Sequence, residues 1–536
     1  MGDSTLEQET NGTAHTNGGA AVAETLRSHG VDTIFGIPGT HNLEIYRHLV
    51  RLGITTITTR HEQGAGYAAD GYSQVAGKPG VVITTSGPAM LNAMVAAGTS
   101  YAESRPILIL SSGLASSSET DGGELHDTKD TFGAMSCMTQ WSTRATTPRE
   151  VSEAIARAFK IMATGRPRPV YIEVPHDVLA AQWNGVVATA EEVPVPELDT
   201  VLVQKAIALI SGAQHPAIVA GGGSRGAAEE LRLLAEKLSI PVITTSNGKG
   251  TLSEEHPLSL GANIRLVAAQ DWLNNSDALL VVGSELSDSD LFGGRITAPS
   301  IVRIDIDENQ LQRNAPAAVG ILGDAAEALS AISAGLAEVN STSSGYADIA
   351  ELKASLLAEA RQDGELWFEL NSELRKALPS ETIVTGDSSQ VTYFGTVHFF
   401  PVPARDMFLY MPRAATLGYA VPAALGAKIA KPDAPVVAVL GDGALMFSVQ
   451  EMITAIEHEI PIVIVVANNG GYREIKDQQA ALGISPVGVD LFVPDLAGLA
   501  SAMGMTGERA TSAKDAAERA SEAVRRQTPT LICLDL

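Results

Sequence analysis

An alternation constrains this chain more than any other feature. From about residue 20 onward, short runs rich in Val and Ile trade places with longer stretches of helical apolar spacing. A strand that returns through a helix runs parallel to its neighbour, so the pattern predicts parallel sheets flanked by helices. No unit of about 20–50 residues recurs, which argues against solenoids and propellers. At roughly 100–200 residues per domain, 536 residues make about three such domains.

The alternation falls into three blocks. The expected fold is α/β, with three domains that are each a doubly wound, mostly parallel sheet. Residues 1–19 are rich in Gly, Thr, Glu and Asn and read as a disordered tail. With no basic start and no apolar stretch, they are not a secretory signal. The first domain is placed at 20–180, with strands at 33–36, 54–59, 80–85, 107–111 and 170–174. A Pro- and Glu-rich stretch at 191–198 reads as a linker. The central domain, 200–336, has strands at 217–220, 242–245, 278–282 and 301–306. A polar stretch at 338–345 is the second linker. The third domain, 346–536, has strands at 383–385, 436–440, 462–467 and 530–534.

Composition narrows the partners. Hydrophobic residues make up 45% and charged residues 18%, enough apolar side chain for a large core. Lys and Arg number 37 against 62 Asp and Glu, a net charge of −25. That balance argues against nucleic acid and anionic membrane as partners. No apolar run reaches the roughly 18–20 residues that span a bilayer. Cys137 and Cys533 are too few for a disulfide framework or a cysteine-rich metal site, and a reducing, cytoplasmic setting fits.

The chemistry is densest between 434 and 475. A strand runs into Gly441-Asp442-Gly443, a helical pattern follows over about 447–458, and a second strand runs into Asn468-Asn469-Gly470-Gly471. This βαβ unit puts Asp442 and Asn469 at the carboxyl edge of neighbouring parallel strands, where open α/β sheets bind ligands. A carboxylate, an amide oxygen and a backbone carbonyl suit a hard divalent cation such as Mg²⁺, which also borrows phosphate oxygens. Gly441 and Gly443 let the backbone approach a diphosphate, and the amides of the following helix start, at Ala444, favour its charge. Gly-Asp-Gly alone is an ordinary turn. Followed after 24 residues by Asn-Asn across a βαβ unit, it resembles the signature of the thiamine diphosphate (ThDP) enzymes.

What the resemblance implies can be carried residue by residue. The metal that bridges the cofactor's diphosphate would be held by Asp442, the Asn469 side chain and the Gly471 carbonyl. Glu62, in the run Arg60-His61-Glu62-Gln63-Gly64-Ala65-Gly66, matches the Glu that bonds N1′ of the aminopyrimidine and promotes its imino tautomer. Ser86-Gly87-Pro88 with downstream Asn92 resembles the family's Gly-Pro-Gly turn, with Ala89 in place of the third glycine. Gly386-Asp387-Ser388-Ser389-Gln390 resembles the diphosphate loop. In Ala414-Ala415-Thr416-Leu417-Gly418, Leu417 would wedge the cofactor into its V shape, and the Ala415 carbonyl would accept from its 4′-amino group. The family places its cofactor between two subunits, so a homodimer is the minimal unit and a homotetramer is expected.

The specific reaction is read from three further segments. The loop Gly36-Ile37-Pro38-Gly39-Thr40-His41 should lie near the reactive carbon, with Thr40 where family decarboxylases carry Asp or Ser and His41 as a candidate proton carrier. His126 lies where acetolactate synthases carry a Gln-Glu pair, and could contact the substrate carboxylate or protonate an intermediate. Glu474 follows the metal loop, where the synthase Gly-Met-Val…Gln-Trp segment is absent, and is a candidate proton donor or carboxylate-side gate. The combination resembles the acetolactate synthase and benzoylformate decarboxylase superfamily, in its 5-guanidino-2-oxopentanoate (2-ketoarginine) decarboxylase-like branch. The implied reaction is non-oxidative decarboxylation of a small 2-oxo acid to an aldehyde. A carboligase is the alternative. A catalytically silent ThDP-fold subunit would be expected to lack Glu62, Asp442 or Asn469, and all three are present. A guanidinium substrate wants an acid, with Glu474, Asp490 and Asp127 as candidates. Gly221-Gly222-Gly223-Ser224-Arg225-Gly226 fits a dinucleotide fingerprint, but the next strand ends in Thr and Ser instead of the acid such a site needs. NAD is therefore not expected there; some family members hold FAD or ADP in the central domain and in many it is empty, and emptiness is the default expectation here.

Overall fold

The computed structural model describes residues 16–119, 122–189, 197–336 and 349–536. Three parallel sheets form in chain order, each around its own apolar strands. The first holds β1 (Thr33–Gly36), β2 (Thr55–Thr58), β3 (Gly80–Thr84), β4 (Ile107–Gly113), β5 (Trp141–Arg144) and β6 (Val170–Pro175), ordered β2-β1-β3-β4-β6-β5. The central sheet holds β7 (Pro216–Ala220), β8 (Val242–Thr244), β9 (Ala278–Val282), β10 (Ile301–Asp305) and β11 (Val319–Leu322), ordered β11-β10-β9-β7-β8. The third holds β12 (Ile383–Gly386), β13 (Phe408–Leu409), β14 (Val436–Gly441), β15 (Val463–Asn468), β16 (Thr506–Ala510) and β17 (Thr530–Asp535), ordered β13-β12-β14-β15-β17-β16. The inner strands are nearly unbroken Val, Ile and Leu because helices cover both faces.

Every expected strand is present. Four further strands, β5, β11, β13 and β16, complete the sheets, and all four are edge strands. An edge strand packs less of its length, so Trp-Ser-Thr-Arg and Thr-Gly-Glu-Arg-Ala lack the apolar run that marks an inner one. The helical pattern after Gly443 resolves into two short helices, Asp442–Leu445 and Glu451–Glu457.

The reading of 1–19 as a tail needs correction at its end. A helix begins at Gly18, capped by the Asn17 side chain, and Gly18 and Gly19 are buried. A Cβ at Gly18 would stand 2.1 Å from the Val178 carbonyl oxygen, and one at Gly19 2.0 Å from that of Glu44. These glycines serve close packing rather than flexibility. Residues 1–15, most of the first linker (191–196) and all of the second (338–345) lie outside the described residues.

The outer domains meet through the helices Glu62–Ala76 and Ala420–Ala430, pressed together at Gly71 and Gly426, where a Cβ would stand 2.3 and 1.9 Å from the opposing backbone. Beneath them Arg105 pairs with the buried Asp70 at 2.9 Å and donates to Tyr419 and Asn247. This ties all three domains at one point. Among the described residues no helix is long and apolar enough to cross a membrane.

Candidate active site

The register Gly441↔Ala467 between β14 and β15 brings the ends of these strands level. Asp442 follows one and Asn469 the other, as the βαβ pattern requires. Burial pushes the Asp442 carboxyl up, while the amides of Asn469 (3.3 Å) and Gly471 (2.8 Å) donate to it. The turn that lets Gly471 do so has φ of +84° at Gly470 and +119° at Gly471, open to glycine.

A cavity of about 250 Å³ opens above this edge. Twelve of the residues singled out in the sequence line it: Ser388, Ser389, Gln390, Ala415, Leu417, Gly441, Asp442, Gly443, Ala444, Asn469, Gly471 and Glu474. Ser389 Oγ accepts from the Gly441 amide at 3.1 Å, joining the loops after β12 and β14. Asp387, fully buried, accepts from the amides of Ser388, Gly418 and Ala420 and so fixes one end of the 413–420 loop. Burial without a cation pushes its carboxyl up to about 6. Glu103, from the first domain, fixes the other end by accepting from the amides of Arg413 and Ala414, both at 2.8 Å. Between them Ala415 sits at φ +47°.

The donor set fits a metal-bound diphosphate. Among the described residues no group of three or more His, Cys, Asp or Glu side chains could hold a metal. A cation here would instead rely on one carboxylate, the Asn469 amide, the Gly471 carbonyl and phosphate oxygens, the mixed set that Mg²⁺ prefers. The cradle is shaped by missing side chains. A Cβ at Gly443 would stand 3.0 Å from the Tyr472 ring, and one at Gly441 3.3 Å from Ser389 Oγ.

Seven further lining residues had no role in the sequence reading, and three of them are aromatic. Tyr472 was visible beside the metal loop without a role. Tyr393 lies in a π-helical turn, Val391–Thr396, a distortion common at functional sites. Trp367 comes from the long helix Ile349–Ala377, which carries no local signal of a site.

The other expected residues gather at the carboxyl edge of the first sheet. Glu62 starts the helix Glu62–Ala76, is 8% exposed and accepts from Asn92 Nδ2 at 2.9 Å. His41 and His126 both meet Ser86 Oγ, at 2.6 and 3.2 Å. His176, directly after β6, stacks on His41 with centroids 5.0 Å apart. Its place at the strand end was the signal that could have found it. Thr40 is exposed in the loop after β1. None of these residues lines the cavity, whose wall comes entirely from residues 367–475.

A cavity of about 320 Å³ lies where the central domain meets the other two, lined by Gly222, Gly223, Asn247 and Asp305 of the central domain, Arg105 of the first and Arg413 of the third. The glycine run beside it is needed for packing: a Cβ at Gly221 would stand 2.3 Å from the Gly283 carbonyl oxygen.

Known proteins match along this whole architecture. Residues 16–134 match the thiamine pyrophosphate enzyme N-terminal TPP binding domain, 203–332 the central domain and 388–534 the C-terminal TPP binding domain. A probable 2-ketoarginine decarboxylase of Pseudomonas aeruginosa is 37% identical over 91% of this chain and 88% of its own. A probable acetolactate synthase large subunit of Methanocaldococcus jannaschii is 32% identical over 96% and 91%. The acetolactate synthase large subunit of Corynebacterium glutamicum is 31% identical over 93% and 83%. Three matched domains in order, on three sheets whose last carries the diphosphate cradle, leave one assignment: the chain belongs to the thiamine pyrophosphate (thiamine diphosphate) enzymes.

Proposed function

We propose that this protein is a ThDP- and Mg²⁺-dependent decarboxylase that converts a 2-oxo acid to an aldehyde and carbon dioxide. The observation that carries the reading is the cavity at the β14–β15 edge, where the loops after β12, β13, β14 and β15 converge. Asp442, Asn469 and the Gly471 carbonyl hold the metal. Ser388, Ser389, Gln390 and the amides of Gly443 and Ala444 hold the diphosphate. Ala415 and Leu417 orient the rings. ThDP, when bound, supplies the electron sink for loss of carbon dioxide. Glu62 would contact the aminopyrimidine of bound cofactor, where its carboxylate could hold or release a proton. His41 and His126 supply the proton that replaces carbon dioxide on the product.

The active unit is at least a homodimer and is expected to be a homotetramer. The cavity wall lacks Glu62, and beside Glu62 the helix Pro88–Glu103 exposes Leu91 (40%) and Val95 (51%). A second copy would cover these side chains and bring its Glu62 to the cavity. A cytoplasmic location suits the reading.

For the substrate we favour a cationic side chain. Asp490 is tied to Lys476 at 2.6 Å, and Asp127 accepts from the Gly123 amide. Glu474 lines the cavity and accepts from the amides of Gln390 and Gln478, with no ion-pair partner among the described residues. A carboxylate at the cavity wall suits a guanidinium.

Carbon dioxide release with Mg²⁺ and ThDP over a panel of 2-oxo acids tests this, with products identified by mass. The panel holds pyruvate, benzoylformate, branched-chain acids and 2-ketoarginine. The expected result is one aldehyde from one preferred acid. A hydroxyketone or acetohydroxy acid would make the protein a carboligase, the reading the synthase relatives favour. No carbon dioxide from any acid, with ThDP bound, would overturn both.

A further inference from the structure

Three loops at the carboxyl edge of the first sheet meet at one hydroxyl, and a fourth packs behind them. His41 follows β1, Ser86 follows β3, His126 follows β4 and His176 follows β6. Ser86 is 3% exposed, and its Oγ lies 2.6 Å from His41 Nδ1 and 3.2 Å from His126 Nδ1. A serine hydroxyl carries one proton. When it donates to one imidazole, it can only accept from the other. The protonation of the two rings is therefore linked through Ser86.

The backbone is arranged for this contact. His126 has φ +68°, a left-handed conformation unfavourable for a non-glycine residue that tends to persist at functional sites. Gly87 lies against it: a Cβ there would stand 2.5 Å from the His126 carbonyl oxygen and 2.8 Å from its Cβ. Any side chain at 87 would push His126 off Ser86. On its other side His41 stacks on His176, with planes 18° apart. Burial first, then the neighbouring His176 and His126, hold the His41 imidazole below its ordinary range, with Glu124 opposing them. Glu119, Asp127, Lys129, Asp130 and Arg144 ring the open cavity beside His126 and connect it to solvent.

We infer that Ser86 joins His41 and His126 into a two-histidine proton relay between solvent and the reacting carbon. The inference rests on the decarboxylase reading for its substrate. The balance of the step is simple. His41 gives its Nε2 proton to the product carbon, and its Nδ1 takes the Ser86 proton. Ser86 takes the Nδ1 proton of His126, which enters the step protonated. His126 then recovers a proton from water, and exchange with solvent returns the His41 proton from Nδ1 to Nε2 before the next turnover. One proton passes from solvent to carbon, and no redox change occurs. Ser86 is a positioning residue here, since it acts only through the two rings.

Histidine C2-hydrogen exchange, followed by mass spectrometry on the cofactor-free protein, reads each ring's titration without activity. His126→Gln should shift the His41 midpoint by about half a unit or more, and Ser86→Ala should abolish that sensitivity while Ser86→Thr retains it. With ThDP and Mg²⁺, Ser86→Ala should lower turnover by about 10- to 100-fold, with ThDP affinity and KM within about threefold of wild type. The double variant should be no slower than the slower single one. Ser86→Cys, which keeps volume with a poor donor, serves if the Ala variant does not fold. The relay is overturned if His126→Gln moves His41 equally with and without the hydroxyl, since the coupling is then through space, or if the two turnover losses multiply. Failure of the wild type to release carbon dioxide from any 2-oxo acid would sink the decarboxylase reading and leave the exchange result to stand or fall alone.

Discussion

The first and third sheets have the same design and opposite chemistry. Numbered from its own first strand, each runs 2-1-3-4-6-5, all parallel. The same positions in the two sheets can therefore be compared. After the first strand stands the His41 loop in one and Asp387-Ser388-Ser389 in the other. After the second stand Glu62 and the Ala415–Leu417 loop. After the third stand Ser86-Gly87 and Asp442-Gly443, and after the fourth His126 and Asn469. On the proposed reading, one edge collects groups that exchange protons, and the other collects groups that hold a metal and a diphosphate. The fold fixes where a ligand sits and the loop residues fix what happens to it. The central sheet follows a five-stranded order of its own and contributes to neither edge.

If the division is real, one substitution on each edge separates chemistry from holding. Glu62→Gln keeps the Asn92 contact but cannot exchange a proton in the same way. Turnover should fall by about 1,000-fold or more, the largest effect expected, with ThDP affinity within about threefold. Asp442→Ala should weaken Mg²⁺-dependent ThDP retention by at least about 100-fold, measured by dialysis and cofactor titration. Unfolding of the cofactor-free protein should change little or improve, because a buried, unpaired carboxylate is gone. If Glu62→Gln loses the cofactor, or Asp442→Ala retains it, the two edges do not divide the labour.

The third-sheet edge was more legible in the sequence than the first. Asp442, Asn469 and Gly471 belong to one βαβ unit, so local pattern and chain geometry place them together. Glu62 could be found only through its likeness to a known motif, because a Glu at a helix start is otherwise unremarked. The Ser86 bridge was not legible at all. It depends on the heights of loops from β1, β3 and β4, and no local pattern encodes those. The same holds for Glu103, which supports the cofactor loop from another domain some 310 residues away in sequence. Gly18 and Gly19 misled because glycine marks both a flexible tail and a close helix contact.

A subtler contrast is electrostatic. The loop after β12 hides Asp387, whereas the matching loop after β1 buries no carboxylate. In the folded chain the Asp387 carboxyl is pushed up to about 6, above the ordinary 3.8. Between those values the folded state binds a proton that the unfolded chain has released. This group's contribution to stability therefore falls as pH rises from about 4 to 6, and above that the ionised form costs on the order of 3 kcal/mol. Urea midpoints of the cofactor-free protein across pH 4–7 should decline more steeply in wild type than in Asp387→Asn. The slope carries the test, since the variant also alters the hydrogen bonds to Gly418 and Ala420. Parallel curves would mean that the loop's acid is not the ionised, buried group described here.

The smallest expected effect sharpens the division where the two edges must meet over the substrate. Glu474 stands on the holding side yet is the cavity's candidate for reading the substrate's charge. Glu474→Gln is nearly isosteric and removes that charge, together with one of the two contacts from the Gln390 and Gln478 amides. If Glu474 pairs with a guanidinium, kcat/KM for 2-ketoarginine should fall by about tenfold, while an uncharged 2-oxo acid of similar length is unchanged or improved. Raising the salt from about 0.05 to 0.5 M should narrow the wild-type preference and leave the variant's flat, since a partly exposed pair is screened. An equal loss for charged and uncharged acids would point elsewhere. Glu474 would then act through Gln390, whose amide it receives at 2.9 Å, or in proton transfer itself. In that case the proton-exchanging groups are not confined to the first sheet, and the division of labour between the two edges is incomplete at this residue.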